Sequence, residues 1–287
     1  MLAQQQLDID DLHYGLWDAD LPLTLVNIPR AQQRYTQLLL GHVARLLEGI
    51  EAPRILDVGC GTGHMLEQLI AEGYQVDAVN PSPALNRQVH ARLDRLHDTR
   101  VNLFECGFEA IPDVPASQRY HLLLFSESFQ YIPLLDIFSI SPRLLRPGGQ
   151  LLVCDFFKTD AHRDGGAGDR SFSGGHVLRA FYDDLSSSRF TLQYDEDLTA
   201  RVSPNIALLD EWLMQRLLPA SQSIDTYLTG RYPWSIRLLK WLTRRRLARL
   251  RYKYLSGNRS QAMFEKYKSY RLLVLRLEAT AQGLAGN

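Results

Sequence analysis

The chain predicts an α/β protein built on a largely parallel sheet, and three observations carry that prediction. From residue 53 onward, short apolar runs alternate with segments of helical spacing, the pattern of a sheet covered by helices on both faces. The first of these runs leads directly into a loop with glycines at 59, 61 and 63, which lets the backbone turn tightly and lie against a ligand. The sequence RPGGQ at 146–150 is a strong turn signal, expected to end one helix and launch the fifth strand.

Taken in order, residues 1–50 read as an N-terminal helical cap. Its main helix is PRAQQRYTQLLLGHVARLLEG, with Pro29 suited to a first turn and Gly49 to a stop. Residues 51–200 read as the core. RILDV, QVDAV, VNLFE, HLLLF and QLLVCDF are its strand candidates, with HMLEQLIAE and ALNRQVHARLDRLH as helices between them. The loop KTDAHRDGGAGDRSFSGGH after the fifth strand is longer than a simple connection requires, as lids and binding loops are. RFTLQYDEDL follows as a sixth strand, residues 201–268 as a mainly helical insertion, and SYRLLVLRLEA, within 269–287, as a last strand.

Composition narrows the function classes. At 287 residues the chain can bury a substantial core, and its Lys plus Arg total of 32 equals its Asp plus Glu total. That balance gives no overall electrostatic reason to bind nucleic acid. Cys60, Cys106 and Cys154 are too few and too widely spaced for a disulfide scaffold or a CxxC metal site, so no metal is expected. MLAQQQLDIDDLHYG has neither a basic start nor an apolar run, and no apolar stretch is long enough to cross a bilayer. The expectation is a cytoplasmic protein.

In DVGCGTG the third glycine falls one residue earlier than the GxGxxG of a dinucleotide site, and Asp57 stands two residues before the first glycine. A carboxylate there is awkward for a diphosphate and useful for a ligand bearing an ammonium group. S-adenosylmethionine is such a ligand.

ILDVGCGTG, RYHLLLFSESFQYIP and LLRPGGQLLVCDF together resemble the class I S-adenosylmethionine-dependent methyltransferases. HYGLW at 13–17 looks like the opening of the branch that acts on sterol, prenyl, tocopherol, quinone or sugar substrates, and DEDLTARVSP at 195–204 resembles a later segment of it. The resemblance implies a Rossmann-like, seven-stranded, mostly parallel sheet in the order 3-2-1-4-5-7-6, with the helical insertion between strands 6 and 7. It also implies that Asp57, Gly59, Gly61 and Gly63 hold the methionyl part of the cofactor, Asn80 and Pro81 the ribose, and Phe108 the adenine edge. Ser126 belongs to the same wall, and His13 and Tyr14 close over the methionyl end. Two positions depart from the family pattern. Asn80 stands where an acidic residue usually accepts the ribose hydroxyls, with Asp77 as an alternative. Cys106 and Gly107 stand near the usual adenine-amine acceptor, leaving Glu105 or Glu109 for that role.

Methyl transfer is an in-line displacement whose thioether leaving group needs no acid, so alignment and exclusion of water carry much of the catalysis. Where relatives carry histidines, this chain has Phe129, Gln130 and Tyr131. Glu127 is the nearest candidate base or polar anchor, and His176 in the long loop is a second. The acceptor is expected to be a small lipophilic or aromatic metabolite from specialised, natural-product biosynthesis. The alternatives are a cofactor-bound enzyme with a different reaction, such as a cyclisation, or a degenerate fold used as a binding module.

Residues 226–264 hold ten Lys or Arg and no Asp or Glu, interleaved with aromatics. The 231–253 stretch reads as a basic amphipathic segment. It suits a helical cap over the site, peripheral membrane contact, or an acidic carrier or substrate.

Overall fold

The computed structural model describes residues 13–96, 100–166, 169, 171–172, 174–212, 231–232 and 260–278. Helix α1 (Ile28–Leu46) starts with proline in its first turn and carries Arg45 in its last, matching the helix dipole at its carboxyl end. The core then runs β1 (Arg54–Val58), α2 (His64–Ala71), β2 (Gln75–Val79), α3 (Pro83–Leu96), β3 (Leu103–Phe104), β4 (Tyr120–Ser126), α4 (Leu134–Leu144) and β5 (Leu145–Lys158). After α5 (Leu178–Ser186) and β6 (Phe190–Asp197) come α6 (Thr199–Val202) and α7 (Pro204–Trp212). Helix α8 (Gln261–Tyr267) then leads into β7 (Lys268–Leu277).

The seven strands form one sheet in the order β3-β2-β1-β4-β5-β7-β6, as the family resemblance implies. Pairing is parallel from β3 to β5, and β7 runs antiparallel to both β5 and β6. Side chains alternate across the strands and supply two cores. On one face Ile55, Leu122, Leu124, Leu152 and Leu272 pack with Tyr35, Leu39 and Val43 of α1. On the other, Leu56, Val58, Leu123, Phe125 and Val153 pack with Ile137 and Ile140 of α4 and Phe181 of α5. Each such side chain taken fully out of water contributes about 1.5–3 kcal/mol.

Two elements differ from the sequence expectation. VNLFE forms strand only at Leu103–Phe104. RPGGQ does not precede the fifth strand but lies within its paired span. Tyr120 pairs with Leu145 and Leu122 with Gln150, so residues 146–149 swell out as a bulge. Gly148 supplies the left-handed φ of +76° this needs, and Arg146 ties the bulge down by donating to the carbonyls of Arg119 and Ser117, at 3.1 Å each.

Asp77 is a brace inside the sheet. Its carboxylate accepts from the Tyr120 hydroxyl at 2.8 Å, the Arg54 guanidinium at 2.8 Å and the Asn102 backbone N–H at 2.9 Å. This joins β2 to β4, to β1 and to the segment before β3. Helices α6, α7 and α8 occupy the described part of the chain between β6 and β7. Most of the basic 231–253 stretch, apart from Arg231 and Tyr232, lies outside the described residues.

Tyr120→Phe removes one partner of this buried carboxylate and is expected to destabilise the fold by about 1–3 kcal/mol. Urea denaturation should show a lower midpoint with an unchanged slope.

Candidate active site

A cavity of about 520 Å³ opens beyond the carboxyl ends of β1, β2 and β4, where open parallel sheets bind ligands. Its wall is built from residues 57–62 and 64–65, from 79–81, from 107–109 and from 126–128 with 131–132, with His13 and Leu85 completing it.

The glycine loop is shaped by two separate constraints. Gly59 has φ +76°, and a Cβ there would lie 2.5 Å from the Cβ of Ser128. Ser128 is held in that place because its hydroxyl donates to the Val58 carbonyl. Gly61 has φ +58°, and a Cβ there would meet no atom within 4 Å. The space it leaves open is the cavity itself. Gly63 follows, immediately before α2.

Asp57 is 1% exposed, and its Oδ2 has no hydrogen-bond partner. Removal from water disfavours the charged carboxylate and pushes its pKa up to about 7. Asn80 is buried at the end of β2, where its amide donates to the Gly61 carbonyl at 3.3 Å and accepts from the Ser82 N–H at 3.4 Å. Both bonds are long, and a ligand hydroxyl can take their place. Pro81 adjoins it on the wall. Phe108 is buried edge-on against Phe125, with ring centres 5.7 Å apart. Of the two carboxylates near it, Glu109 reaches the cavity. Glu105 is engaged by Asn86 at 3.0 Å and His90 at 2.9 Å, and is not on the wall.

Ser126 reaches the wall with its hydroxyl 2.9 Å from that of Tyr35. Glu127 follows with a left-handed φ of +53°. Its Oε1 accepts from the Tyr14 N–H at 2.9 Å and from the Tyr270 hydroxyl at 2.7 Å. Burial raises the Glu127 carboxyl, while His13, the Tyr270 hydroxyl and the Tyr14 N–H pull it back down.

Three residues read as site residues from sequence stand elsewhere. Gly63 is not on the wall, and a Cβ there would meet Val89 of α3 at 3.2 Å. His13 lines the cavity, whereas the Tyr14 ring packs behind the wall, edge-on to Phe264 and Tyr270. His176 is turned away, with Nε2 3.1 Å from the Phe129 carbonyl oxygen and its ring edge-on to Phe129. Its own carbonyl accepts the Lys158 N–H at 2.7 Å, fastening the end of the long loop back onto β5. The geometry does not bring it to the cavity.

Among the described residues the wall carries three carboxylates, Asp57, Glu109 and Glu127, two histidines, and no Lys or Arg. A diphosphate meets no cationic partner among them. A ligand with an ammonium and a sulfonium group fits: the unpartnered Oδ2 of Asp57 awaits a donor, and the space at Gly61 admits close approach. Among the described residues no group of three or more His, Cys, Asp or Glu could hold a metal ion, and no helix is long and apolar enough to cross a membrane.

The sheet order and the parallel and antiparallel pairing place the chain in the class I methyltransferase fold. Residues 55–149 match the family described as a methyltransferase domain. A ubiquinone biosynthesis O-methyltransferase from Xanthomonas oryzae pv. oryzae is 28% identical over 149 residues, 50% of this chain and 57% of that protein. The chain thus spans little more than half the length of the curated relatives it matches. Among solved structures, geranyl diphosphate C-methyltransferase from Streptomyces coelicolor A3(2) aligns with a TM-score of 0.64 at 17% identity, covering 93% of this chain and 91% of that one. The [4+2]-cyclase SpnF aligns with a TM-score of 0.60 at 20% identity, covering 94% and 88%. These structural likenesses concern the fold.

Two contrasts test the site. Gly59→Ala drives a side chain into Ser128 and is expected to destabilise the fold by about 2–4 kcal/mol, combining overpacking and backbone strain. Gly61→Ala should cost only the strain, about 1–2 kcal/mol, yet weaken S-adenosylhomocysteine at least about tenfold in calorimetry, as about 1.4 kcal/mol of lost binding would. The second test concerns Asp57. An ammonium group bound beside it lowers its pKa from about 7, so binding below neutrality must release a proton. Affinity for S-adenosylhomocysteine is expected to rise with pH up to about 7 and then flatten. Calorimetry in buffers of different ionisation enthalpy should detect the proton, and Asp57→Asn should abolish its release.

Proposed function

We propose that the chain transfers a methyl group from S-adenosylmethionine to a small lipophilic or aromatic metabolite in the cytoplasm, as a step of specialised biosynthesis. The observation that carries this reading is the cavity's charge: three carboxylates and, among the described residues, no Lys or Arg around a glycine turn, with Asp57 Oδ2 unpartnered. Asp57 and the 59–63 loop would hold the methionyl end, Asn80 and Pro81 the ribose, and Phe108 with Glu109 the adenine. When bound, the cofactor supplies an electrophilic methyl group.

The chain's own contribution is positional. Ser126, Glu127, Tyr131 and Ile132 line the cavity just beyond β4, the stretch that faces an incoming acceptor. Glu127 is anchored through Oε1 alone, which leaves its other oxygen to accept a proton or a hydrogen bond from a hydroxyl or amine nucleophile. Tyr131, on the cavity wall, is 78% exposed and offers a ring suited to a lipophilic acceptor.

Calorimetry with S-adenosylmethionine and S-adenosylhomocysteine tests the first step, with micromolar binding expected; absence of binding by both would end this reading. Incubation with hydroxylated quinone precursors, the first acceptors to try given the ubiquinone-pathway relative, should yield product heavier by one methylene and release S-adenosylhomocysteine. A product of unchanged mass with the cofactor intact would point instead to a cyclisation.

A further inference from the structure

Residues His13–Trp17 cross the ligand edge of the sheet as a strap held at every residue. The His13 carbonyl accepts from the Gln32 side chain at 2.8 Å, and the Tyr14 N–H donates to Glu127 Oε1 at 2.9 Å. The N–H groups of Leu16 and Trp17 donate to the carbonyls of Ala31 and Arg201, at 2.9 Å each. Gly15, at the middle, is bound by one side chain from 190 positions away. Asn205 Oδ1 accepts its N–H at 3.1 Å, and Asn205 Nδ2 donates to its carbonyl at 2.7 Å.

The same amide is used to capacity. Oδ1 also accepts the Trp17 indole N–H at 3.1 Å, and Nδ2 also donates to the Val202 carbonyl at 2.7 Å. Both amide hydrogens and both lone pairs are thereby satisfied. The strap cannot slide toward α1 to compensate for their loss, because even a Cβ on Gly15 would lie 2.5 Å from the Ala31 Cβ. Trp17 is buried beside Leu208 of α7, so packing follows the same axis as the hydrogen bonds. Tyr14, the residue before Gly15, is the one that anchors Glu127, and His13 before it lines the cavity.

We propose that Asn205 is a positioning residue of the cofactor site, holding the strap so that His13 and the Glu127 carboxylate stay on the cavity wall. It touches neither the cavity nor the reacting atoms. Its effect passes through Gly15 and Tyr14 to Glu127, and it ties the first turn of α7, within the stretch between β6 and β7, to cofactor occupancy. This inference rests on the cofactor assignment proposed above.

The test compares S-adenosylhomocysteine affinity, thermal stability and the Trp17 indole N–H resonance, the last assigned with Trp17→Phe. Asn205→Ala should weaken binding about tenfold or more, the equivalent of about 1.4 kcal/mol, and move the Trp17 resonance. Tyr120→Phe, which loosens the sheet away from the strap, should lower stability and leave Kd unchanged. In the unaltered protein, saturation with S-adenosylhomocysteine should slow hydrogen exchange of the Trp17 indole N–H and the Gly15 amide while leaving Thr191 in β6 unaffected, a readout that holds even if Asn205→Ala fails to fold. Unchanged Kd in Asn205→Ala, or unchanged exchange at Trp17 and Gly15 on saturation, would overturn the proposal. Failure of the unaltered protein to bind S-adenosylhomocysteine would instead refute the cofactor assignment itself.

Discussion

A carboxylate taken out of water near the end of β1 is the constraint around which the site is arranged. Raising the Asp57 pKa from its ordinary 3.8 to about 7 corresponds to a cost on the order of 4 kcal/mol for holding the charge there. The fold accepts this because β1, buried on both faces, fixes the carboxyl where the glycine turn begins. A cation arriving in the cavity relieves the cost, so part of the affinity is already stored in the folded chain. A phosphate-bearing nucleotide would meet the carboxylate with no Lys or Arg among the described wall residues to compensate.

Around that point the wall is assembled from remote parts of the chain by a single polar cluster. Glu127 leaves β4 in a left-handed conformation, and its Oε1 is reached from the strap by Tyr14, 113 positions earlier, and from β7 by Tyr270, 143 positions later. Tyr35 of α1 adds a hydroxyl contact to Ser126 and packs its ring against His13 with centres 4.2 Å apart. Three segments far apart in sequence, the strap, β4 and β7, thus meet at one carboxylate, and α1 joins them at the neighbouring Ser126. Strain at Glu127 is the local cost of turning that group toward them.

Much of this was legible in the residues, and what was not has a common cause. Glycine spacing, Asp57 and the alternation of strands and helices are local signals, and they located the turn, the sheet and the cavity. The sheet order came from family resemblance, since periodicity says nothing about which strands neighbour each other. His176 looked available because an isolated histidine in a long loop carries no mark of the backbone carbonyl it will meet. Asn205, Tyr270 and Ser128 went unread for the converse reason. Each acts through a partner 70 or more positions away, and no short window of sequence contains both ends. Asp77 shows the same limit within the sheet: as an acid in β2 it resembled a ribose acceptor, and only Tyr120, Arg54 and Asn102 together reveal it as a brace.

The antiparallel course of β7 has a further meaning for how such a protein can change. Because β6 ends and β7 begins at the same edge of the sheet, the chain leaves at Asp197 and returns at Lys268 beside it, with Arg271 paired opposite Asp197. The described helices between those points are tied to the rest of the fold: Val202, Ile206 and Phe264 pack in the core with the strands, and Asn205 holds the strap. Insertion or exchange in this detour, much as a tool head is swapped on a fixed handle, can therefore leave the register of the strands unchanged only where it spares α6, α7 and α8.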